Sequence, residues 1–288
     1  MAEIIKGADV RADLVEKMKA KIAETGVSPV LALIRVGEDG SDLAYQKGII
    51  KTCDSVGIES RVYAFPAEIR QKEFESEFAK INSNPQIHGI LLFRPLPKHL
   101  DDKPIAQIIN PEKDMDCMSP VNWGKLATGD SSGYFPCTPE AVMKICEYIG
   151  LDPKGKNVVI MGTSLVVGRP LGYLMTAKRA SVSWCNTVTK NPLKRCEDAD
   201  IFISACGRAG LITKEYVKNA APGCVAIDVG VNFRDGKMCG DFVFDEVAPY
   251  VSMITPVPGG VGAVTNSVTA SHVVRAAVKA KTGEIFNF

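Results

Sequence analysis

The run Asn157-Val158-Val159-Ile160-Met161 leads directly into Gly162-Thr163-Ser164-Leu165-Val166-Val167-Gly168-Arg169-Pro170. The apolar residues read as a buried strand, and the glycines and proline after them as a turn entering a helix. The first amides of a helix have no partners within it and lie at the positive end of its dipole, so they bind phosphate oxygens. Glycine lets a pyrophosphate approach the backbone, and Pro170 suits a first helical turn because the N–H it lacks would be unpaired there. The spacing departs from G-x-G-x-x-G, so the residues alone fit two accounts: a dinucleotide site, or a tight turn that glycine serves. After the next strand the chain reads Ser183-Trp184-Cys185-Asn186-Thr187, where NAD enzymes typically carry an acidic residue for the adenosine ribose. With no carboxylate to repel a 2'-phosphate, this segment leans towards NADP. Lys190, Lys194 and Arg195 lie just beyond, either as positive charge for that phosphate or as solvated surface residues.

The elements that position this turn form a regular alternation. Val10, Leu14, Val15, Met18 and Ile22 repeat with helical period, and Val30–Val36 reads as a buried strand. A helix over 42–56 closed by Gly57, a strand over 60–64, a helix over 71–82 and a strand over 87–93 follow. Prolines 95, 97, 104, 111, 120, 136 and 139 punctuate an irregular stretch, with a helix from near Pro139 to near Gly150. After Lys154-Gly155-Lys156 the pattern restarts: strand 157–161, helix 168–179, strand 181–184, a short helix near 192–197, strand 200–204, helix 213–219 and strand 224–228. Helices alternating with short strands give a mostly parallel sheet covered by helices, so the fold class is α/β. The helical pattern over 267–281 closes the chain. Two lobes are expected: 1–145, with 267–288 packing back on it, and 146–266.

Composition excludes several classes of function. Lys plus Arg number 34 and Asp plus Glu 33, so there is no long-range attraction for nucleic acid or an anionic membrane. Nine cysteines without a C-x-x-C pair suggest neither a zinc site nor a disulfide framework, and reduced thiols fit a cytoplasmic protein. Charged residues interrupt the first sixteen positions, which excludes a signal-peptide core there. Apolar runs such as 89–93 fall far short of the roughly 20 residues that span a bilayer. His88, His99 and His272 have no accompanying nucleophile motif and read as surface or packing residues.

Four segments then give the chain a family likeness. Thr255-Pro256-Val257-Pro258-Gly259-Gly260-Val261-Gly262 is the most specific; with it stand Pro111-Glu112-Lys113-Asp114-Met115-Asp116, Ala226-Ile227-Asp228-Val229-Gly230-Val231-Asn232 and Phe135-Pro136-Cys137-Thr138-Pro139. In these the chain resembles, over essentially its whole length, the bifunctional methylenetetrahydrofolate dehydrogenase/methenyltetrahydrofolate cyclohydrolase family. The resemblance implies an N-terminal α/β substrate lobe and a C-terminal Rossmann-like nucleotide lobe with folate in a cleft between them. It implies that Tyr45 stacks on the pterin and p-aminobenzoate region, that Asp116 hydrogen-bonds the pterin ring, and that Pro258, Gly259 and Gly262 contact the substrate. Read without it, Tyr45 is a core aromatic and Asp116 a loop cap. The resemblance further implies cofactor contacts from Gly162, Thr163, Ser164, Val167, Gly168, Thr187, Val231 and Thr265. Tetrahydrofolate is then the substrate carrier and NADP the cofactor, with NAD the alternative; no metal is expected, and the resemblance implies a homodimer formed through the nucleotide lobe.

The departures carry as much as the matches. The family's cyclohydrolase lysine, one helical turn after the tyrosine, is Ile49 here, and the glutamine of its Gln-Leu-Pro-Leu-Pro stretch is Phe93 in Phe93-Arg94-Pro95-Leu96-Pro97. Lys47 and Lys51, at two and six residues from Tyr45, fall off its helical face. The family's Gly-Arg-Ser is Gly162-Thr163-Ser164, its Cys-His-Ser is Cys185-Asn186-Thr187, and its Gly-Pro-Met-Thr is Gly262-Ala263-Val264-Thr265. Two polar-to-apolar changes at partners in one site fit loss of water activation, whereas oxidation of a methylene bridge relies on positioning. The expected activity is therefore methylenetetrahydrofolate dehydrogenase with cyclohydrolase lost or weak. The alternatives are a fully bifunctional enzyme using Lys47, Lys51 or Arg94, and a folate or nucleotide binding protein without catalysis.

Overall fold

The structure, a computed structural model, describes residues 2–288. In chain order its elements are β1 (Glu3–Ile4), α1 (Gly7–Thr25), β2 (Val30–Val36), α2 (Gly40–Val56), β3 (Glu59–Phe65), α3 (Gln71–Ser83), β4 (Gly89–Leu92), α4 (Lys103–Ile108), α5 (Pro120–Thr128) and α6 (Cys137–Tyr148). Then come β5 (Asn157–Met161), α7 (Gly168–Ala177), β6 (Ser181–Cys185), α8 (Pro192–Arg195), β7 (Ile201–Ser204), β8 (Val225–Asp228), β9 (Asn232–Arg234), β10 (Lys237–Cys239), α9 (Phe244–Val247), β11 (Met253–Ile254) and α10 (Gly262–Thr282).

Two compact units divide the chain: Asp13–Cys137 with Asn266–Phe288, and Met1–Ala12 with Thr138–Thr265. The division therefore falls at Cys137/Thr138 where the sequence suggested 145/146, and residues 1–12 leave the first lobe. The reason is a strand too short to show in the sequence: Glu3 and Ile4 pair in parallel with Met253 and Ile254.

The first unit is built on a three-stranded parallel sheet in the order β3-β2-β4. The central strand Val30–Val36 is almost wholly apolar and nearly all buried, as a strand covered on both faces must be. Phe74, Phe78 and Ile81, at helical spacing on α3, pack with Ala32, Ile34, Ile90 and Leu92 in one core. Asp39 caps the start of α2 by accepting from the Ser41 amide, and Gly57 ends it in the left-handed region (φ 84°). The stretch read as irregular contains α4 and α5. Pro104 and Pro120 open these helices instead of breaking them: Pro120 stands in the first turn of α5, behind Ser119, whose hydroxyl accepts from Asn122 N.

The second unit holds a six-stranded parallel sheet in the order β1-β11-β8-β7-β5-β6. From β5 the chain runs outward to β6, then returns to the other side of β5 for β7 and β8. The β5/β7 boundary is thus a topological switch point, where loops leaving adjacent strand ends diverge and open a crevice. Helix 213–219 of the sequence reading is only a three-residue 3-10 turn, Lys214–Tyr216, capped by Thr213 and followed by Pro222-Gly223 before β8. A hairpin, β9–β10, interrupts the alternation. All nine cysteines are free, and among the described residues no helix is long and apolar enough to cross a membrane.

Candidate active site

In the six-stranded unit the expected phosphate turn sits at the switch point. Gly162 follows β5 with φ +116°, and a Cβ there would lie 2.3 Å from the Ala205 carbonyl oxygen at the end of β7. Gly168, the first residue of α7, passes so close to the turn that a Cβ would lie 2.0 Å from the Gly162 carbonyl oxygen. Both glycines are therefore required by close backbone approach, which answers half of the ambiguity in the sequence: the turn is tight, and its tightness brings the start of α7 against the strand end. Ser164 Oγ accepts from Val167 N (3.1 Å), and Arg169 Nε donates to the Thr163 carbonyl (3.0 Å), fixing the loop. Trp184 Nε1 donates to the Gly168 carbonyl (2.9 Å), and its ring lies where a side chain at Gly172 would be, pinning α7 to β6.

The neighbouring loops lie at the same edge of the sheet. Gly162 N donates to Cys185 O and Ala205 N to Met161 O, joining the ends of β5, β6 and β7. After β6, Asn186 Oδ1 accepts from Val188 N (3.0 Å) and Asn186 N donates to Thr189 Oγ1 (2.8 Å), a closed turn that leaves Thr187 exposed. Val231, following β8, is exposed, and Thr265 is half-buried in the first turn of α10. Gly162, Thr163, Ser164, Val167 and Gly168 thus form one group, with Thr187 on the adjoining strand end. The exposed Pro258, Gly259 and Gly262 belong to this unit as well; Gly259 has φ +101°, and its carbonyl accepts from Gly7 N (2.8 Å).

The motif around Asp228 has a structural explanation that the sequence did not supply. Asp228 is buried and accepts from the amides of Gly230, Asp241 and Phe242. Asp241, also buried, accepts from Ser204 Oγ, from the amides of Cys206 and Arg208, and from Asn232 Nδ2. Between them the two carboxylates hold the loops after β7 and β8. Burial, opposed by three N–H donors and reinforced by neighbouring Asp241, pushes the Asp228 carboxyl up to about 6.

The three-stranded unit carries two of the substrate candidates, Tyr45 and Asp116. Tyr45 stands on α2, and its ring meets Phe93, just beyond β4, edge to face with centroids 5.6 Å apart. Ile49, one turn further along α2, is completely buried, as Phe93 nearly is. Lys47 and Lys51 are exposed. Gly48 lets α10 approach, since a Cβ there would lie 3.0 Å from Asn266 Nδ2. Burial raises the Tyr45 hydroxyl far above the ordinary tyrosine value, so it stays protonated at every working pH.

The two aspartates of 111–116 separate by role. Asp114 is buried and saturated, accepting from Met118 N, Ser119 N and Asn122 Nδ2, and it organises the entry to α5. Asp116 keeps about a third of its side chain exposed (32%), accepts from Cys137 N (3.0 Å), and has Arg94 Nη2 at 3.6 Å. Desolvation raises its carboxyl above the usual range, against the Cys137 amide and the Arg94 charge, which lower it. Cys137, whose amide binds Asp116, was visible in the sequence only as part of a motif.

A glycine-lined helix start at the switch point of a parallel sheet defines a doubly wound α/β nucleotide-binding unit, here on the same chain as a three-stranded α/β unit carrying Tyr45 and Asp116. Residues 5–116 match the catalytic domain, and residues 136–281 the NAD(P)-binding domain, of tetrahydrofolate dehydrogenase/cyclohydrolase, and the chain belongs to that family. It is 44% identical to the "Bifunctional protein FolD" of Alkaliphilus metalliredigens, over 96% of this chain and 98% of that protein. Among solved structures it resembles the bifunctional FolD dehydrogenase/cyclohydrolase of Campylobacter jejuni, with TM-score 0.92, 36% identity, and 96% and 99% of the two chains covered. It also resembles the Trypanosoma brucei dehydrogenase-cyclohydrolase complexed with NADP and an inhibitor, with TM-score 0.88, 30% identity, and 96% and 97% covered.

Proposed function

We propose that this chain is an NADP-dependent 5,10-methylenetetrahydrofolate dehydrogenase whose cyclohydrolase activity is absent or weak. The carrying observation is the pair Ile49 and Phe93: the helical position one turn from Tyr45 and the residue touching its ring hold no group able to take or give a proton. Hydrolysis of a methenyl bridge needs a proton removed from the attacking water and one delivered to a folate nitrogen. Lys47 and Lys51 are exposed, and the Arg94 guanidinium lies between the carboxylates of Asp102 and Asp116.

Oxidation asks for less. Asp116 accepts from the amino and ring N–H groups of the pterin, and the Tyr45 ring offers a face to the folate, so the two fix where the methylene carbon lies. The tight turn at Gly162 and Gly168 fits a pyrophosphate, with contributions from Thr163, Ser164, Val167, Thr187, Val231 and Thr265; Pro258, Gly259 and Gly262 serve the substrate. NADP, when bound, supplies the hydride acceptor. The positive charge left on the folate is shared by its own two nitrogens, so no protein base is needed.

NADP is favoured over NAD because residues 186–190 contain no carboxylate and include exposed Lys190. A second reading, with both activities kept, rests on Arg94 beside Asp116; there Arg94→Ala loses hydrolysis alone. The homodimer is supported by Phe233 and Met238, an exposed apolar pair directly opposite each other on the β9–β10 hairpin, and light scattering of the purified protein tests it. The free cysteines suit a cytoplasmic enzyme. The test of the dehydrogenase is methenyltetrahydrofolate absorbance formed from methylenetetrahydrofolate with NADP or NAD. Turnover with NADP supports the proposal, turnover only with NAD corrects the coenzyme, and binding without turnover overturns the activity.

A further inference from the structure

Arg94 directly follows the ring that touches Tyr45, at the position where the family's Gln-Leu-Pro-Leu-Pro stretch carries leucine. Its guanidinium spans two carboxylates: Nη2 lies 3.6 Å from Asp116 Oδ2, and Nη1 lies 3.8 Å from Asp102 Oδ2. Both separations exceed hydrogen-bond length, and among the described residues no acceptor holds the guanidinium more closely. Its N–H donors are therefore oriented by charge and left uncommitted. The side chains of Arg94 and Asp116 are each 32% exposed, so a ligand that reaches the carboxylate also meets the guanidinium. Loose, partly exposed ion pairs add little to stability, and folding alone does not account for an arginine here. The other oxygen of Asp116 is fixed from the opposite direction, since Oδ1 accepts from Cys137 N (3.0 Å).

A reduced pterin carries its ring N–H between the carbon bearing the amino group and the carbon bearing the 4-oxo oxygen. When a carboxylate accepts from the amino and ring N–H groups, that oxygen is the next group along the edge, and it can only accept. Neighbouring N–H and C=O atoms of such an edge lie about 2.2 Å apart, and their partners stand about 2.9 Å off. An acceptor and a donor 3.6 Å apart can each reach one of them. We infer that Arg94 is a specificity-determining residue that donates to the pterin 4-oxo oxygen beside the N–H groups taken by Asp116, so that the pair selects 4-oxo over 4-amino pterins. The inference rests on the folate reading of the site. A 4-amino group at the same place turns N–H donors towards a guanidinium that has only donors, which is a repulsive element against that ligand.

Calorimetric binding of tetrahydrofolate and of 4-amino-4-deoxytetrahydrofolate, without nucleotide and at about pH 8 to favour the ionised carboxylate, tests this apart from turnover. Wild type is expected to bind the 4-oxo ligand at least tenfold more tightly than the 4-amino ligand. Arg94→Met, which keeps the aliphatic stem, is expected to lose tenfold or more for the 4-oxo ligand while its affinity for the 4-amino ligand holds within threefold or rises. Retained binding of the 4-amino ligand also shows that this variant is folded. Arg94→Lys, which keeps the charge beside Asp116 without the planar fork, is expected to recover part of the preference. Equal weakening of both ligands by Arg94→Met means that the arginine acts only through its charge on Asp116; that result, or a wild type without preference, overturns the inference and leaves the folate reading standing. A wild type that binds neither pterin refutes the folate reading and the inference with it.

Discussion

Phe93 sets the edge of its ring against Tyr45, with planes at 77° and centroids 5.6 Å apart. Such a contact is favourable by about 1 kcal/mol beyond the area it buries. An aromatic ring therefore touches Tyr45, and the aliphatic Ile49 stands one helical turn from it, where the family resemblance places an amide and an ammonium group.

Restoring both polar groups tests that replacement. Ile49→Lys with Phe93→Gln is expected to raise enzyme-dependent methenyl hydrolysis at least tenfold over the parent, and Phe93→Gln alone to leave it near the uncatalysed rate. Ile49 is completely buried, so the lysine destabilises the fold by several kcal/mol unless its ammonium reaches the pocket. Thermal unfolding of each variant distinguishes lost fold from unrestored chemistry.

Gly168→Ala tests the phosphate turn. The added methyl would lie 2.0 Å from the Gly162 carbonyl oxygen, and backbone must move to admit it. KM for NADP is expected to rise tenfold or more, on the order of 1.4 kcal/mol, while tetrahydrofolate binding, measured without nucleotide by calorimetry, stays within twofold.

Under the proposed function, Asp116 is expected to govern the acid side of the folate affinity. Its carboxyl is raised by desolvation and restrained by the Cys137 amide and Arg94, and once protonated it loses acceptor capacity. Log(kcat/KM) for the folate is thus expected to fall on acidification at a pH above the ordinary carboxylate range. Arg94→Ala, removing a charge that lowers that value, moves the fall to still higher pH. A shift in the opposite direction contradicts the assignment.

Asp228 links folding to pH. Its folded carboxyl titrates at about 6, above the ordinary value of 3.8, so the folded chain holds this proton more tightly than the unfolded one. The associated stabilisation is complete below the unfolded value and is lost as pH rises through about 6. Relative to Asp228→Asn, which is always neutral, wild type therefore loses about 2 kcal/mol of its advantage between pH 4 and pH 7. Denaturant unfolding of both proteins across that window measures the gap; a constant or widening gap counts against the burial account.

Much of this was legible in the sequence because burial writes itself as pattern. The strands Val30–Val36 and Asn157–Met161 were readable residue for residue, since each is a short apolar run bounded by turns. The helix α5 was hidden: nine residues show barely two turns of periodicity, and Pro120 reads as punctuation until its place in the first turn is known. The β9–β10 hairpin does carry a signal, Asp235-Gly236, which the surrounding helix–strand alternation masks. Strand β1 has two residues and exists only through its partner β11, so no local pattern specifies it. In the site, the glycines at 162 and 168 announced a turn, and Tyr45 and Asp116 entered through family likeness. Cys137, whose amide donates to Asp116, and Asp241, which ties the loops after β7 and β8, show their roles only in three dimensions.

The most direct test of the central claim is the decay of preformed methenyltetrahydrofolate with and without the enzyme, under conditions where the same preparation oxidises methylenetetrahydrofolate with NADP. Decay indistinguishable from buffer, beside active dehydrogenation, is the expected result. Rapid decay that scales with enzyme concentration would show that hydrolysis proceeds without a titratable group at Ile49 or Phe93, and would contradict the account.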